Sequence, residues 1–119
     1  MRVKGIRHIC LTVKDMPKMV EFYQNLGFSK TVWNKIENGE YLSATMGLAN
    51  ASAYIVKLQA DDDSLLELLQ LYSHSDEDRS HIGITVDNLE EGIKSPYSNV
   101  KTKFIQDPEG NWLELVEEL

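Results

Sequence analysis

Apolar and polar residues alternate over residues 6–13, the two-residue period of a half-buried strand. The period then changes. Met16, Val20, Tyr23 and Leu26 recur at helical spacing with Met19 beside them. Asp15 stands where an N-cap belongs, Pro17 falls in the first turn, and Gly27 sits just past the end. A strand followed by a helix is therefore predicted. Residues 28–35 return to strand character, and the ambiguous stretch 38–48 favours a short helix or an ordered loop around 41–46. Strands are predicted over 51–59 and 65–72, joined by a turn at Asp61-Asp62-Asp63. Residues 73–80 are polar and acidic and read as a linker. A strand over 81–86, a short helix near 88–95 stopped by Pro96, a strand near 100–106, a turn at 107–111 and a last strand over 112–117 complete the chain. The predicted order is βαβββ, then a shortened βαββ.

The pattern also repeats. His8-Ile9-Cys10-Leu11-Thr12-Val13 is matched by His81-Ile82-Gly83-Ile84-Thr85-Val86, and LQADDDSLLEL (58–68) by IQDPEGNWLEL (105–115). Each half opens on a histidine and closes on a glutamate set between leucines. This reads as one domain over 1–119, with module one at about 1–73 and module two at about 78–119. The second half is the shorter, by roughly a helix end and a strand.

Alternation along a strand decides what these residues can do. His8, Cys10 and Thr12 share one face, and Ile9, Leu11 and Val13 the other; His81, Gly83 and Thr85 likewise oppose Ile82, Ile84 and Val86. The aliphatic face is expected to pack on the helix, so the mixed face must look elsewhere. Glu67 shares its face with Leu65 and Leu69, and Glu114 with Trp112 and Val116. A carboxylate on an apolar strand face is costly unless it is paired, hydrated or bound to a cation. Any one of His8, Glu67, His81 and Glu114 would read as an ordinary structural residue. Their equivalence across the repeat points instead to convergence, and two imidazoles with two carboxylates suit a divalent first-row metal with open positions. Trp33, Tyr41, Tyr54, Tyr72, Phe104 and Trp112 are candidate lining residues, although core packing is the usual fate of strand aromatics. Cys10 reads as a small buried residue beside the site, and His74 as a solvated surface residue. The Asp61–Asp63 run lacks the spacing of a calcium loop.

Composition narrows the classes. A net charge of −7 argues against nucleic-acid binding, which needs clustered Lys and Arg. No apolar run reaches the roughly 20 residues needed to span a bilayer, and the N-terminus has no secretory apolar core. The single cysteine, Cys10, precludes an internal disulfide and is consistent with a cytoplasmic location. Three arginines (Arg2, Arg7 and Arg79) offer no obvious clamp for an anionic substrate.

The segments HICLTVKDMPKMVEFYQNLGF, SLLELLQLY, HIGITVDNLEEGI and QDPEGNWLELVEEL, in that order, resemble the vicinal oxygen chelate superfamily, also called the glyoxalase/bleomycin resistance/dioxygenase superfamily. The resemblance implies an α+β fold in which two βαβββ modules, the second shortened here, form a half-open curved sheet cup with helices outside. It implies a divalent metal (Ni, Zn, Co, Mn or Fe) held by His8, Glu67, His81 and Glu114. It also implies a glyoxalase-like lyase or isomerase acting on a small carbonyl or thioester through metal-stabilised enolate chemistry, with Glu114 or Glu67 as general base. Two other activities belong to the same resemblance: antibiotic binding without chemistry, and Fe(II)-dependent ring cleavage if His8, His81 and Glu114 act as the only ligands. A homodimer, a small-molecule substrate, and no nucleic-acid or membrane partner complete the expectation.

Overall fold

The computed structural model describes all of residues 1–119. β1 (Val3–Thr12) leads into α1 (Met16–Leu26), β2 (Lys30–Asn38), α2 (Glu40–Met46), β3 (Ser52–Gln59) and β4 (Leu65–Leu71); β5 (His81–Val86), β6 (Ile93–Lys94), β7 (Val100–Gln106) and β8 (Trp112–Glu118) follow. The eight strands make one sheet in the order β2-β3-β4-β1-β5-β8-β7-β6. Its centre reflects the sequence repeat. β1 pairs in parallel with β4 and β5 in parallel with β8, while β1 and β5 lie antiparallel side by side. The opening and closing strands of both halves are thus four consecutive neighbours.

The first half folds as its pattern predicts. Asp15 accepts a hydrogen bond from the Lys18 amide at 3.3 Å, and Gly27, at φ 137, returns its N–H to the carbonyls of Tyr23 and Gln24. Met16, Met19, Val20 and Tyr23 pack α1 onto Val13, Val56, Leu58, Leu66 and Leu68, the convex side of the sheet. The opposite face of the same strands carries a second cluster, in which Leu42 and Met46 of α2 meet Cys10, Ala53, Ile55, Leu69 and Leu71. Only α1 therefore lies outside the cup. α2 sits over the concave face, because its apolar side chains are matched to the odd-numbered positions of β3 and β4.

The second half departs from expectation in one element: no helix forms near 88–95. The chain runs irregularly from Asp87 to Gly92 and ends in the two-residue β6, which pairs with β7. The local chemistry explains this. Leu89 turns under the sheet against Val86 and Leu115, and its amide donates to Glu117 Oε1 at 2.6 Å. Gly92 presses against β7, where a Cβ would fall 2.8 Å from Cγ of Lys101 and 3.1 Å from the Thr102 carbonyl. With one apolar anchor and about two turns of length, a helix here has too little to bury. The aliphatic face expected to pack on a helix does so only in part: Leu11 and Val13 lie beneath α1, whereas Ile9 and Ile82 stay 49% and 40% exposed.

Candidate metal centre

The register of the four central strands brings the repeat-equivalent residues together. Cys10 lies opposite Glu67 on one side and opposite His81 on the other. His8 lies opposite Gly83, which lies opposite Glu114. All point to the concave face, and His8, Glu67 and His81 are each 5–7% exposed.

The donor atoms are close. His8 Nε2 is 3.2 Å from His81 Nε2 and 3.2 Å from Glu114 Oε1, and His81 Nε2 is 3.6 Å from the same oxygen. Donors around an ion at about 2.1 Å stand about 3.0–3.4 Å apart; two of these separations fall in that range and the third, at 3.6 Å, lies just beyond it, close to the demands of a first-row divalent ion. Glu67 is slightly apart. Its Oε2 is 3.7 Å from His8 Nε2 and 3.9 Å from the Lys57 ammonium. Of the four expected ligands, His8, His81 and Glu114 form a compact set, and Glu67 stands at its edge, shared with a cation.

Hydrogen bonding prepares the histidines. His81 Nδ1 lies 2.7 Å from the carbonyl oxygen of Arg79, which can only accept. Nδ1 therefore carries the proton of the neutral ring and Nε2 presents its lone pair to the centre, the tautomer a metal requires. Burial alone would push the His81 pKa down, but the hydrogen bond and charge of Glu114, with the charge of Glu67, raise it above its ordinary value. Burial likewise opposes ionisation of Glu114, yet the two histidines hold its carboxyl well below the usual range. Charge thus gathers where a cation would sit.

The cleft above these residues holds about 90 Å³ of free space. Of the six candidate aromatics, Trp33, Tyr41 and Phe104 line it. The other three aromatics lie elsewhere. Trp112 packs behind Phe104 with the Arg79 guanidinium 4.9 Å above its ring, Tyr54 faces α1, and Tyr72 is exposed. The shortened half still supplies a wall. Tyr41 of α2 shares a 2.9 Å hydrogen bond with Thr102 of β7, and Tyr97 reaches the Asn38 carbonyl at 3.3 Å, closing the cup from both rims. Burial raises the Tyr41 pKa to about 12, so this link stays neutral.

One acidic residue of the cleft escapes sequence reasoning. Glu37 of β2 is 7% exposed, lines the cleft, and accepts from the Trp33 indole at 3.2 Å. Burial, then the charge of Glu67, raises its pKa. The alternation of Trp33, Lys35 and Glu37 is the signal that could have found it, had the strand been extended to Asn38. The His74 ring meets its neighbour Ser73, and Glu117 is engaged by Leu89 and Lys101; neither approaches the centre.

Residues 5–115 match the model of the Glyoxalase/Bleomycin resistance protein/Dioxygenase superfamily. The chain belongs to that superfamily. Solved structures of similar fold include a methylmalonyl-CoA epimerase from Mycobacterium tuberculosis, at 16% identity and a TM-score of 0.71, covering 98% of this chain and 89% of that one. A glyoxalase family protein from Bacillus cereus shares 15% identity at a TM-score of 0.58, covering 100% and 97%. The Streptomyces coelicolor methylmalonyl-CoA epimerase in complex with 2-nitronate-propionyl-CoA shares 16% at 0.66, covering 98% and 99%. No curated protein sequence matches. At these identities the likeness concerns fold, and within the superfamily fold the two opening and two closing strands are the ones that here carry the His and Glu residues.

Proposed function

We propose that this protein is a metal-dependent isomerase or lyase of the glyoxalase type. It would move a proton at the carbon beside a carbonyl or thioester of a small substrate. The observation that carries this reading is the convergence of His8, His81 and Glu114, with the His81 tautomer set by the Arg79 carbonyl. A divalent ion held there would act as a Lewis acid toward two neighbouring substrate oxygens. The protein supplies the rest. His8, His81 and Glu114 are the proposed ligands, with Glu67 as a fourth that can exchange between the centre and Lys57. Burial opposes ionisation of Glu114, but the neighbouring His8 and His81 hold its carboxyl low in proton affinity, which favours the ligand role over the base role implied by the resemblance. Glu37, whose proton affinity is raised by burial and by the charge of Glu67, is the better-matched proton acceptor. Free space of about 90 Å³ admits the reacting end of a molecule.

The test is elemental analysis of protein purified without a metal-affinity tag, coupled to proton exchange in deuterated water. The substrates are methylmalonyl-CoA and the hemithioacetal of methylglyoxal and glutathione. Near-stoichiometric divalent metal and deuterium incorporation, both lost on chelation, are expected. Absence of bound metal after reconstitution with Ni, Zn, Co, Mn and Fe would overturn the reading. Saturable ligand binding that survives chelation would replace it with an antibiotic-binding role.

One observation favours a second reading: because Glu67 is shared with Lys57, the compact set is two histidines and one carboxylate, the donor pattern of Fe(II) oxygenases. Oxygen uptake with a catechol in the Fe(II)-loaded protein would select it. The protein is further proposed to work in the cytoplasm as a homodimer, the second copy covering Ile9 and Ile82; a monomer in sedimentation at micromolar concentration would refute the dimer.

A further inference from the structure

The concave face holds a fifth donor that the ligand set above does not use. Cys10 is 1% exposed and is the register partner of both Glu67 and His81. Its Sγ, a Glu67 oxygen and a His81 nitrogen all lie within 4.8 Å of one another. The His8–His81–Glu114 set is tighter, with donors 3.2–3.6 Å apart, and His81 belongs to both. Because His81 Nδ1 is committed to the Arg79 carbonyl, only Nε2 is free for either set. The two sets are therefore neighbouring and mutually exclusive positions on one floor.

They differ in chemistry. The first offers two imidazoles and a carboxylate, a borderline-to-hard environment. The second replaces one imidazole with sulfur, which selects thiophilic ions. A buried cysteine in a wholly apolar shell would read as packing, and Cys10 does belong to the apolar cluster with Leu42, Met46 and Leu69. On its two strand neighbours, however, Cys10 meets a carboxylate and an imidazole.

We propose that Cys10, Glu67 and His81 form a second, thiolate-containing metal position, which takes thiophilic divalent ions such as Cd²⁺ and Zn²⁺, while Mn²⁺ and Fe²⁺ occupy the His8–His81–Glu114 position. Binding forms a metal–sulfur bond in place of the S–H bond, the proton passing to solvent with no change of oxidation state. This inference rests on the concave face being a metal site, but not on any catalytic assignment.

The experiment is titration of the metal-free full-length chain with Cd²⁺ and separately with Mn²⁺. Ultraviolet difference spectra and equilibrium dialysis are recorded for wild type, Cys10→Ser, Cys10→Ala and His8→Ala. Wild type and His8→Ala are expected to develop the thiolate-to-metal charge-transfer band at one equivalent of Cd²⁺. The Cys10 variants are expected to lose the band and at least about tenfold in Cd²⁺ affinity, with Mn²⁺ affinity unchanged. Mn²⁺ affinity should instead fall in His8→Ala. Stoichiometric Cd²⁺ binding to wild type without the band overturns this inference alone, and needs no variant to fold. Failure of wild type to bind either ion overturns it together with the metal-dependent function.

Discussion

The imidazole of His8 lies across the α-carbon of Gly83. A Cβ on Gly83 would stand 2.6 Å from Nδ1 of that ring, so glycine here serves the space requirement of its neighbour rather than any special backbone angle. Gly83→Ala is expected to push His8 off the centre and lower metal affinity about 10–100-fold while the sheet survives, the loss typical of disturbing a ligand's orientation. Isothermal titration of the metal-free variant with Mn²⁺, beside circular dichroism, checks both halves of that expectation.

The contact between His81 and Glu114 makes the metal-free protein's stability depend on pH in two directions. Glu114 has a folded pKa of about 2 against an ordinary 4.5, so its contribution is complete above about 4.5 and is lost as pH falls toward 2. His81 is raised above its ordinary 6.5, so its contribution is complete below 6.5 and is lost as pH rises through the folded value. The stabilisation is thus largest between 4.5 and 6.5. Urea unfolding of wild type and Glu114→Gln across pH 3–9 should show the greatest difference in that window; a flat difference would refute the pairing.

Glu37 separates chemistry from binding. Glu37→Gln preserves an acceptor for the Trp33 indole and removes the charge facing Glu67. Deuterium exchange should fall about 10²–10⁴-fold, the usual worth of a positioned base, with metal content unchanged. Full exchange activity in the variant would return the base role to Glu67.

Leu89 tests what replaced the missing helix. It is 4% exposed and packs against Val86 and Leu115. Leu89→Ala should cost about 2–4 kcal/mol in denaturant unfolding and leave metal affinity intact, because the cavity opens on the convex side.

The centre of the fold was legible because it rests on a period and a repeat. Two-residue alternation placed His8, Cys10, Glu67, His81 and Glu114 on one face, and the capping residues Asp15 and Gly27 fixed α1. The departures share a cause: tertiary contacts that local patterning does not encode. Leu89 carries the apolar signal of a short helix but serves as a single plug, with Gly92 seated against β7. Tyr54 and Tyr72 are aromatic strand residues like Trp33, but their parity and position along the strand carry them away from the cleft. The pairing of Lys57 with Glu67 depends on the β3–β4 register, which fixes how one carboxylate is divided between two neighbours.

The antiparallel seam between β1 and β5 joins residues more than 70 positions apart, and β1 meets β4 across more than 50. Such distant pairings close late and slowly, since chain entropy must be spent before they return any contact energy. The full set of His8, His81 and Glu114 is assembled only when the β1–β5 and β5–β8 pairings have both formed, and Glu67 joins only through β1–β4. An ion therefore finds no complete set of donors early in folding and gives the chain little template. Its influence falls on the way out, as a brake on unfolding, so loading should lengthen the lifetime of the native protein far more than it hastens its formation.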